Sequence, residues 1–218
     1  MDMFFNFTNL LFMKKPLLTF LISLFAFAVF SQQRKIISDC TITYTVNNTG
    51  SNTKNDLQGA LKTIYISGKQ IRIDLISNTF NQTIFYNDNT GEATVLKSIG
   101  QSKYISNYTA AEWQKENAVY NGIKISFTKN EKKILNYDCK EALLQLKNGY
   151  KYTIYYVPDI IPSVTENDFE FKIVPGLVLQ YETSVYNQKI QYTASQLSFD
   201  PVPAFRFEIP KSGYKILK

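Results

Sequence analysis

The chain has 218 residues, with 24 Lys and Arg against 18 Asp and Glu, and no histidine. The missing imidazole excludes Ser-His-Asp and Cys-His catalysis, His-ligated zinc and the usual neutral-pH general base. The net charge of +6 is spread thinly, and its densest run, residues 129–133, is interrupted by Asn130 and Glu131. That run reads as the solvated end of a hairpin, not as a nucleic-acid footprint. Two distant cysteines cannot build a Cys₄ site, and no P-loop or Gly-x-Gly-x-x-Gly pattern occurs, so neither metal nor cofactor is expected.

At the N-terminus, Met13-Lys14-Lys15-Pro16 precedes an almost wholly apolar stretch over residues 17–30, which ends in Ser31-Gln32-Gln33. A short basic region, an apolar region of this length and small or polar residues behind it fit a secretory signal peptide; a membrane-spanning helix would need about 20 apolar residues. Residues 1–31 are read as leader and signal peptide, with the true start at Met13 and cleavage after Ala28 or Ser31. Residues 32–218 are read as a single β-rich domain in the periplasm or secreted, with no transmembrane anchor after signal removal. Cys40 lies well beyond the apolar stretch and after Arg34 and Lys35, so a lipoprotein is not expected.

Behind the signal the chain reads as alternating strands separated by polar turns. Residues 40–46 (CTITYTV) alternate and run into the long polar turn 47–52. Residues 60–66 and 71–76 form a hairpin in which Ile71, Ile73 and Leu75 share one face and Arg72, Asp74 and Ile76 the other. Residues 82–86 and 93–99 flank Asn87-Asp88-Asn89-Thr90-Gly91-Glu92, which lacks the full spacing of a calcium loop and reads as a plain turn. Thr109-Ala110-Ala111-Glu112 is a capping-box pattern that opens a helix of two to three turns up to Asn117. The single tryptophan, Trp113, lies on it, placed either to anchor the helix on a sheet face or to stack on a ligand.

Residues 123–128 form the next strand. The clearest hairpin follows: 137–146, the turn Lys147-Asn148-Gly149, and 150–157. Residues 158–175 break the pattern with Pro158, Pro162 and the acidic string Glu166, Asp168 and Glu170, and are read as an exposed connection. A last hairpin spans 176–182 and 189–199, and the segments 205–209 and 210–218 are placed to close an edge. The fold class expected is mainly β (α+β): a single antiparallel curved sheet or half-barrel with one or two short helices on its concave face.

Cys40 and Cys139 sit in predicted strands. They form either one long-range disulfide or two buried free thiols. A carboxylate-pair hydrolase would draw on Asp138 and Glu141 or on the acidic string. Solvation explains the string, and Asp138 and Glu141 fall on opposite faces of a strand. The fifteen tyrosines all follow the signal peptide. They either coat half-exposed sheet faces or, with Ile and Leu, line a concave surface that accepts an apolar ligand. On the second reading Trp113, Tyr152, Ile154 and Tyr156 are the candidate ligand-binding residues.

From Tyr137 onward the order of features resembles an exported bacterial family named for its Gly-Leu-Pro-Gly-Leu-Ile motif, the GLPGLI family. Its pieces correspond here to Tyr137-Asp138-Cys139-Lys140-Glu141-Ala142, then Tyr155-Tyr156-Val157-Pro158-Asp159-Ile160, then Ile173-Val174-Pro175-Gly176-Leu177-Val178. Tyr155 replaces the family's tryptophan, Ile161 stands for its second proline, and Ile173 and Val174 replace the leading Gly-Leu. Pro175, Gly176 and Leu177 carry the motif. The hairpin 64–76 and the ending Phe207-Glu208-Ile209-Pro210 with Gly213-Tyr214 are similar to LolA/LolB-like carriers of lipoproteins. That resemblance implies an antiparallel half-barrel wrapped over short helices and, more weakly, an apolar ligand between them. Neither group supplies a catalytic residue.

Two functions follow as expectations. The first is a non-enzymatic protein of the periplasm or cell envelope that binds a lipid or other apolar small molecule in a curved sheet. The second is a structural or interaction module that docks an envelope protein partner and has a dry interior.

Overall fold

The computed structural model describes residues 34–48, 57, 59–165, 169–185 and 188–217. The expected leader and signal peptide, the turn residues 49–52, Glu166 and Asp168 lie outside them. Among the described residues, no helix is long and apolar enough to cross a membrane.

Twelve strands form one long, curved and open sheet: β2 (Asp39–Asn48), β3 (Leu61–Ser67), β4 (Gln70–Ile76), β5 (Phe80–Asn87), β6 (Glu92–Ile99), β7 (Ser102–Tyr108), β8 (Lys124–Ile134), β9 (Tyr137–Gln145), β10 (Lys151–Val157), β12 (Leu177–Val185), β13 (Gln188–Ser198) and β14 (Lys215–Ile216). Their order across the sheet is β14-β7-β6-β5-β4-β3-β2-β13-β12-β10-β9-β8. A separate two-stranded parallel ribbon pairs β1 (Lys35–Ile37) with β11 (Ile160–Pro162). One α-helix, α1 (Ala110–Glu116), and 3-10 turns at Ala118–Tyr120 and Ala204–Phe207 complete the described elements.

The sheet follows from local alternation. In β2 every second side chain is buried: Cys40, Ile42, Tyr44 and Val46 point inward while the threonines between them are half exposed. The same phase continues through Ile64 and Ile66 of β3, Ile154 of β10, Leu179 of β12 and Ile190 of β13, and these side chains form one contiguous core. Fully burying one such aliphatic side chain contributes about 1.5–3 kcal/mol. The capping box forms as expected: the Thr109 hydroxyl accepts from Glu112 N, and the Glu112 carboxylate accepts from Thr109 N at 2.9 Å. The 87–92 segment is a plain turn. Asp88 is held by Lys69 at 2.7 Å, and Gly91 takes a left-handed φ of +71°.

Several expectations change. Residues 129–133 belong to the second half of β8, and the turn comes two residues later, at Leu135 and Asn136, both with positive φ (49° and 67°). Two left-handed residues in a two-residue loop match the twist of a hairpin, and asparagine tolerates that conformation. β8 is the outer strand of the sheet, and its lysines Lys124, Lys129, Lys132 and Lys133, with a register shift between Phe127 and Glu131, discourage addition of a further strand. At the opposite edge Lys215 and Ile216 of β14 lie parallel on β7 as the tail was expected to, whereas residues 205–209 do not close an edge: the turn at Ala204–Phe207 packs on β4, where Arg72 donates to the Arg206 carbonyl at 2.9 Å.

The described parts of the connection after β11, residues 163–165 and 169–176, are not an exposed link. Val164, Glu170, Phe171 and Val174 are buried in it, and the Phe171 ring meets Tyr181 edge-on at 5.1 Å. The motif glycine has a steric reason. A Cβ on Gly176 would collide with the Val157 carbonyl and lie 2.8 Å from the Tyr156 ring, where the β10–β12 register shifts. Leu177, next to it, is buried at the entry of β12.

Of the two alternatives for the cysteines, the structure has the free thiols: Cys40 and Cys139 are both buried and unbridged. They lie on β2 and β9, with β13, β12 and β10 between those strands, whereas a disulfide needs Cα atoms within about 7 Å. Burial raises the Cys40 thiol to about 12 and the Cys139 thiol to about 11, so both are inert toward oxidation at neutral pH.

Candidate functional site

The covered face of the sheet holds a cavity of about 260 Å³. Its floor comes from alternate positions of two neighbouring strands: Ile73 and Leu75 of β4, and Gln82, Ile84 and Tyr86 of β5. Its far wall is Tyr181 of β12 and Tyr192 of β13. Trp113, Asn117 and Tyr120 close it from the segment carrying α1, and Glu170 reaches in from the 163–176 connection. Helix α1 has no buried residue of its own, so the cover over this part of the sheet is thin. It is fixed by its cap and by Trp113, whose ring lies 5.4 Å from Tyr108.

Two charged side chains lie in this wall. Lys62 of β3 is in phase with the buried Ile64 and Ile66, so its chain runs inward with theirs. Its ammonium donates to the Tyr181 hydroxyl at 2.6 Å and lies 5.2 and 5.0 Å from the centroids of the Tyr181 and Tyr192 rings. Those two rings are stacked, with centroids 4.6 Å apart and planes 7° from parallel. Desolvation lowers the Lys62 pKa to about 8, partly opposed by the Glu170 carboxylate. Glu170 is only 7% exposed and accepts a hydrogen bond from the Tyr152 hydroxyl at 2.7 Å; the Tyr120 hydroxyl bonds to it as well. Burial, reinforced by the Glu170 charge, raises Tyr152, Tyr120 and Tyr192, the last to about 12, so the phenols stay protonated and donate.

The candidate ligand residues are thus divided. Trp113 lines the cavity. Tyr152 stands behind its wall as the donor that fixes Glu170. Ile154 and Tyr156 do not reach it: they are 0% and 4% exposed, packed in the solid core farther along β10, and the Tyr156 ring meets Phe127 at 6.3 Å. The sequence reading also missed Lys62 and took Glu170 for a solvated loop residue. A lysine on the apolar phase of a strand was the available signal for the first. The second had none, because its burial depends on how the 163–176 connection folds back.

The two strand carboxylates considered for acid and base work have separate partners. Asp138 is exposed near Lys133, at 3.5 Å. Glu141 accepts from Tyr155 at 2.6 Å and from Thr128 and Asn130 at 3.0 Å, and Tyr155 is the main cause of its lowered pKa. Among the described residues, no group of three or more Cys, Asp or Glu side chains could hold a metal ion.

The class defined by this architecture is a long, curved, open sheet, antiparallel but for the β14–β7 pair, with a short helix over one face and a cavity beneath. No family model and no curated protein matches the chain. Among solved structures, PNGF-II in two crystal forms is similar with TM-scores of 0.46 and 0.47 at 13% identity, over 82% and 83% of this chain. MucB is similar at a TM-score of 0.42 and 12% identity over 83% of this chain, and the MucA/MucB complex of Pseudomonas aeruginosa at 0.41 and 13% over 79%. The matches span 30% and 32% of the PNGF-II chains and 59% and 56% of the MucB ones. Scores below 0.5 at such identities assign no activity.

Proposed function

We propose that this protein is an exported, non-enzymatic binding protein of the cell envelope, related to the GLPGLI family, whose half-barrel holds a lipid or other apolar small molecule against its concave face. The observation that carries this reading is the cavity under α1, whose lining is mainly aliphatic and aromatic with a few polar side chains among them. Ligand sites share that combination. Its volume is just below the usual range of about 300–1,000 Å³, which suits a single chain or ring and not a whole diacyl lipid. The leader at residues 1–31 and the motif around Pro175-Gly176-Leu177 support export and the family relationship.

The test is native mass spectrometry of the mature protein purified from its periplasm, followed by denaturation and organic extraction. The expected result is a small apolar molecule bound one to one. A clean apo mass, together with no binding of an uncharged naphthylamine dye, would overturn the reading and leave the envelope interaction module in its place.

A further inference from the structure

One margin of the sheet is both open and basic. β8 stands last in the sheet order and pairs only with β9 among the described residues, so the main-chain N–H and C=O groups on its outer side have no strand beside them. Residues 124–151, which form β8, β9 and the start of β10, carry seven lysines against Glu131, Asp138 and Glu141, a balance of +4 within the chain's +6. Two of those carboxylates are engaged: Asp138 lies 3.5 Å from Lys133, and Glu141 is held on the sheet by Tyr155, Thr128 and Asn130. Lys132 turns back to the Gln180 side chain at 2.7 Å. Lys124 and Lys129 are exposed, and among the described residues neither is in an ion pair. Ahead of its register shift β8 alternates regularly: Ile125 and Phe127 pair with the buried Leu144 and Ala142 and share the core-side face, whereas Lys124 and Ser126 share the other. Phe127 is nevertheless 58% exposed, with only its inner side against Tyr156, because no strand lies outside it.

We propose that residues 124–127 of β8 are a docking edge for an extended acidic segment of a partner protein, which adds to the sheet as a further strand. This goes beyond the reading of the cavity and does not depend on it. Main-chain hydrogen bonds to the open edge supply the hold, and the alternation of β8 supplies the choice of partner. On one face of the incoming strand its carboxylates are drawn to Lys124 and to Lys129, two residues past Phe127. On the other face an apolar side chain pairs with the Phe127 ring and covers it. The same lysines repel a second copy of β8, and the shift after Phe127 keeps the pairing short, so a chance strand is rejected and an acidic one selected. An anionic lipid surface would use the lysines but leave the main-chain groups of the edge unpaired.

The experiment is fluorescence anisotropy of short labelled peptides titrated with the mature protein at pH 7 and low salt. One peptide alternates glutamate with valine and phenylalanine. A second carries lysine in place of glutamate, and a third is the glutamate peptide with alternate main-chain amides N-methylated, which keeps its charge and removes its donors. The glutamate peptide is expected to bind one to one and about tenfold more tightly than either control, the scale of two ion pairs at an exposed rim. Lys124→Glu combined with Lys129→Glu should reverse the preference in favour of the lysine peptide, and Phe127→Ser should weaken the glutamate peptide by up to about fivefold without changing the preference. All three side chains are exposed, and the wild-type comparison needs no variant to fold. No binding of the glutamate peptide, or equal binding of the glutamate and lysine peptides, would overturn the proposal. Equal binding of the methylated peptide would overturn strand addition. Capture on phosphatidylglycerol vesicles without peptide binding would assign the lysines to a lipid surface instead, and a wild-type dimer in sedimentation that Phe127→Ser releases would assign the edge to a second copy.

Discussion

The two ends of the covered sheet face share one alternation of apolar and polar residues and are filled differently. Towards β10 and β12 the space is taken by side chains. Ile154, Leu144 and Leu179 are fully buried, and the 163–176 connection drops Val164, Phe171 and Val174 onto them. Towards β4 and β5 the cover is α1, a helix with no buried residue, and the inward side chains Ile73, Leu75 and Ile84 face a cavity. The comparison teaches that strand patterning decides which residues point inward, whereas the covering segment decides whether they meet protein or open space. The solid end holds the fold together, and the thinly covered end leaves open space beneath the helix.

Truncations sharpen this contrast most. Leu179→Ala or Ile154→Ala should cost about 2–5 kcal/mol in urea unfolding, because the rigid surroundings cannot collapse into the gap. Leu75→Ala, at the cavity floor, should cost about 1 kcal/mol or less, since it enlarges a space that already exists. Equal losses at both ends would break the comparison. Next in size is Gly176→Ala, which forces a methyl into the Val157 carbonyl and the Tyr156 ring; overpacking of this kind costs about 1–3 kcal/mol, read in the same unfolding curves.

Alkali attacks both ends, through buried thiols in the solid core and buried phenols of the cavity wall. Cys40 and Cys139 are raised from 9.0 to about 12 and about 11, and Tyr192 from 10.0 to about 12. A raised pKa means that the stabilisation is complete below the unfolded value and is lost as pH climbs towards the folded one. Stability should therefore fall from about pH 9 upward, by as much as about 1.4 kcal/mol per pH unit for each group titrating. Lys62 works in the opposite sense: lowered from 10.5 to about 8, it adds stability as pH rises between those values. It is outnumbered by the thiols and phenols, among them the raised Tyr44, Tyr181 and Tyr152. Thermal melts at pH 7, 9 and 10.5 check this; an unchanged melting temperature at pH 10.5 would show that these groups are not buried as described. The smallest effect is expected at the cover. Thr109→Ala removes the capping box at a cost of about 1 kcal/mol, visible as faster amide exchange in residues 110–116 with little change at β2 or β10.

Much of this was legible in the sequence because it is local. CTITYTV fixed the inward set Cys40, Ile42, Tyr44 and Val46, Asn148-Gly149 marked the β9–β10 turn, and Thr109 with Glu112 marked the helix start. What was not legible depends on contacts distant in sequence. The Leu135-Asn136 turn contains no glycine, so its left-handed pair carried little signal. The parallel pairing of β1 with β11 joins segments more than a hundred residues apart. Glu170 looked solvated because nothing in its local sequence says that its side chain is buried. Ile154 and Tyr156 had the right phase for a ligand wall and lie at the wrong end of it, a distinction that only the placement of the cover makes.

The central claim is that the space beneath α1 accepts an apolar guest. Trp113 is the chain's only tryptophan and lines that space, so its emission reports on occupancy without any label on the protein. The most direct measurement is energy transfer from Trp113 to an uncharged naphthylamine dye titrated into the mature, delipidated protein. Saturable one-to-one quenching that octanol reverses is the predicted result. An unchanged Trp113 emission throughout the titration would contradict the account.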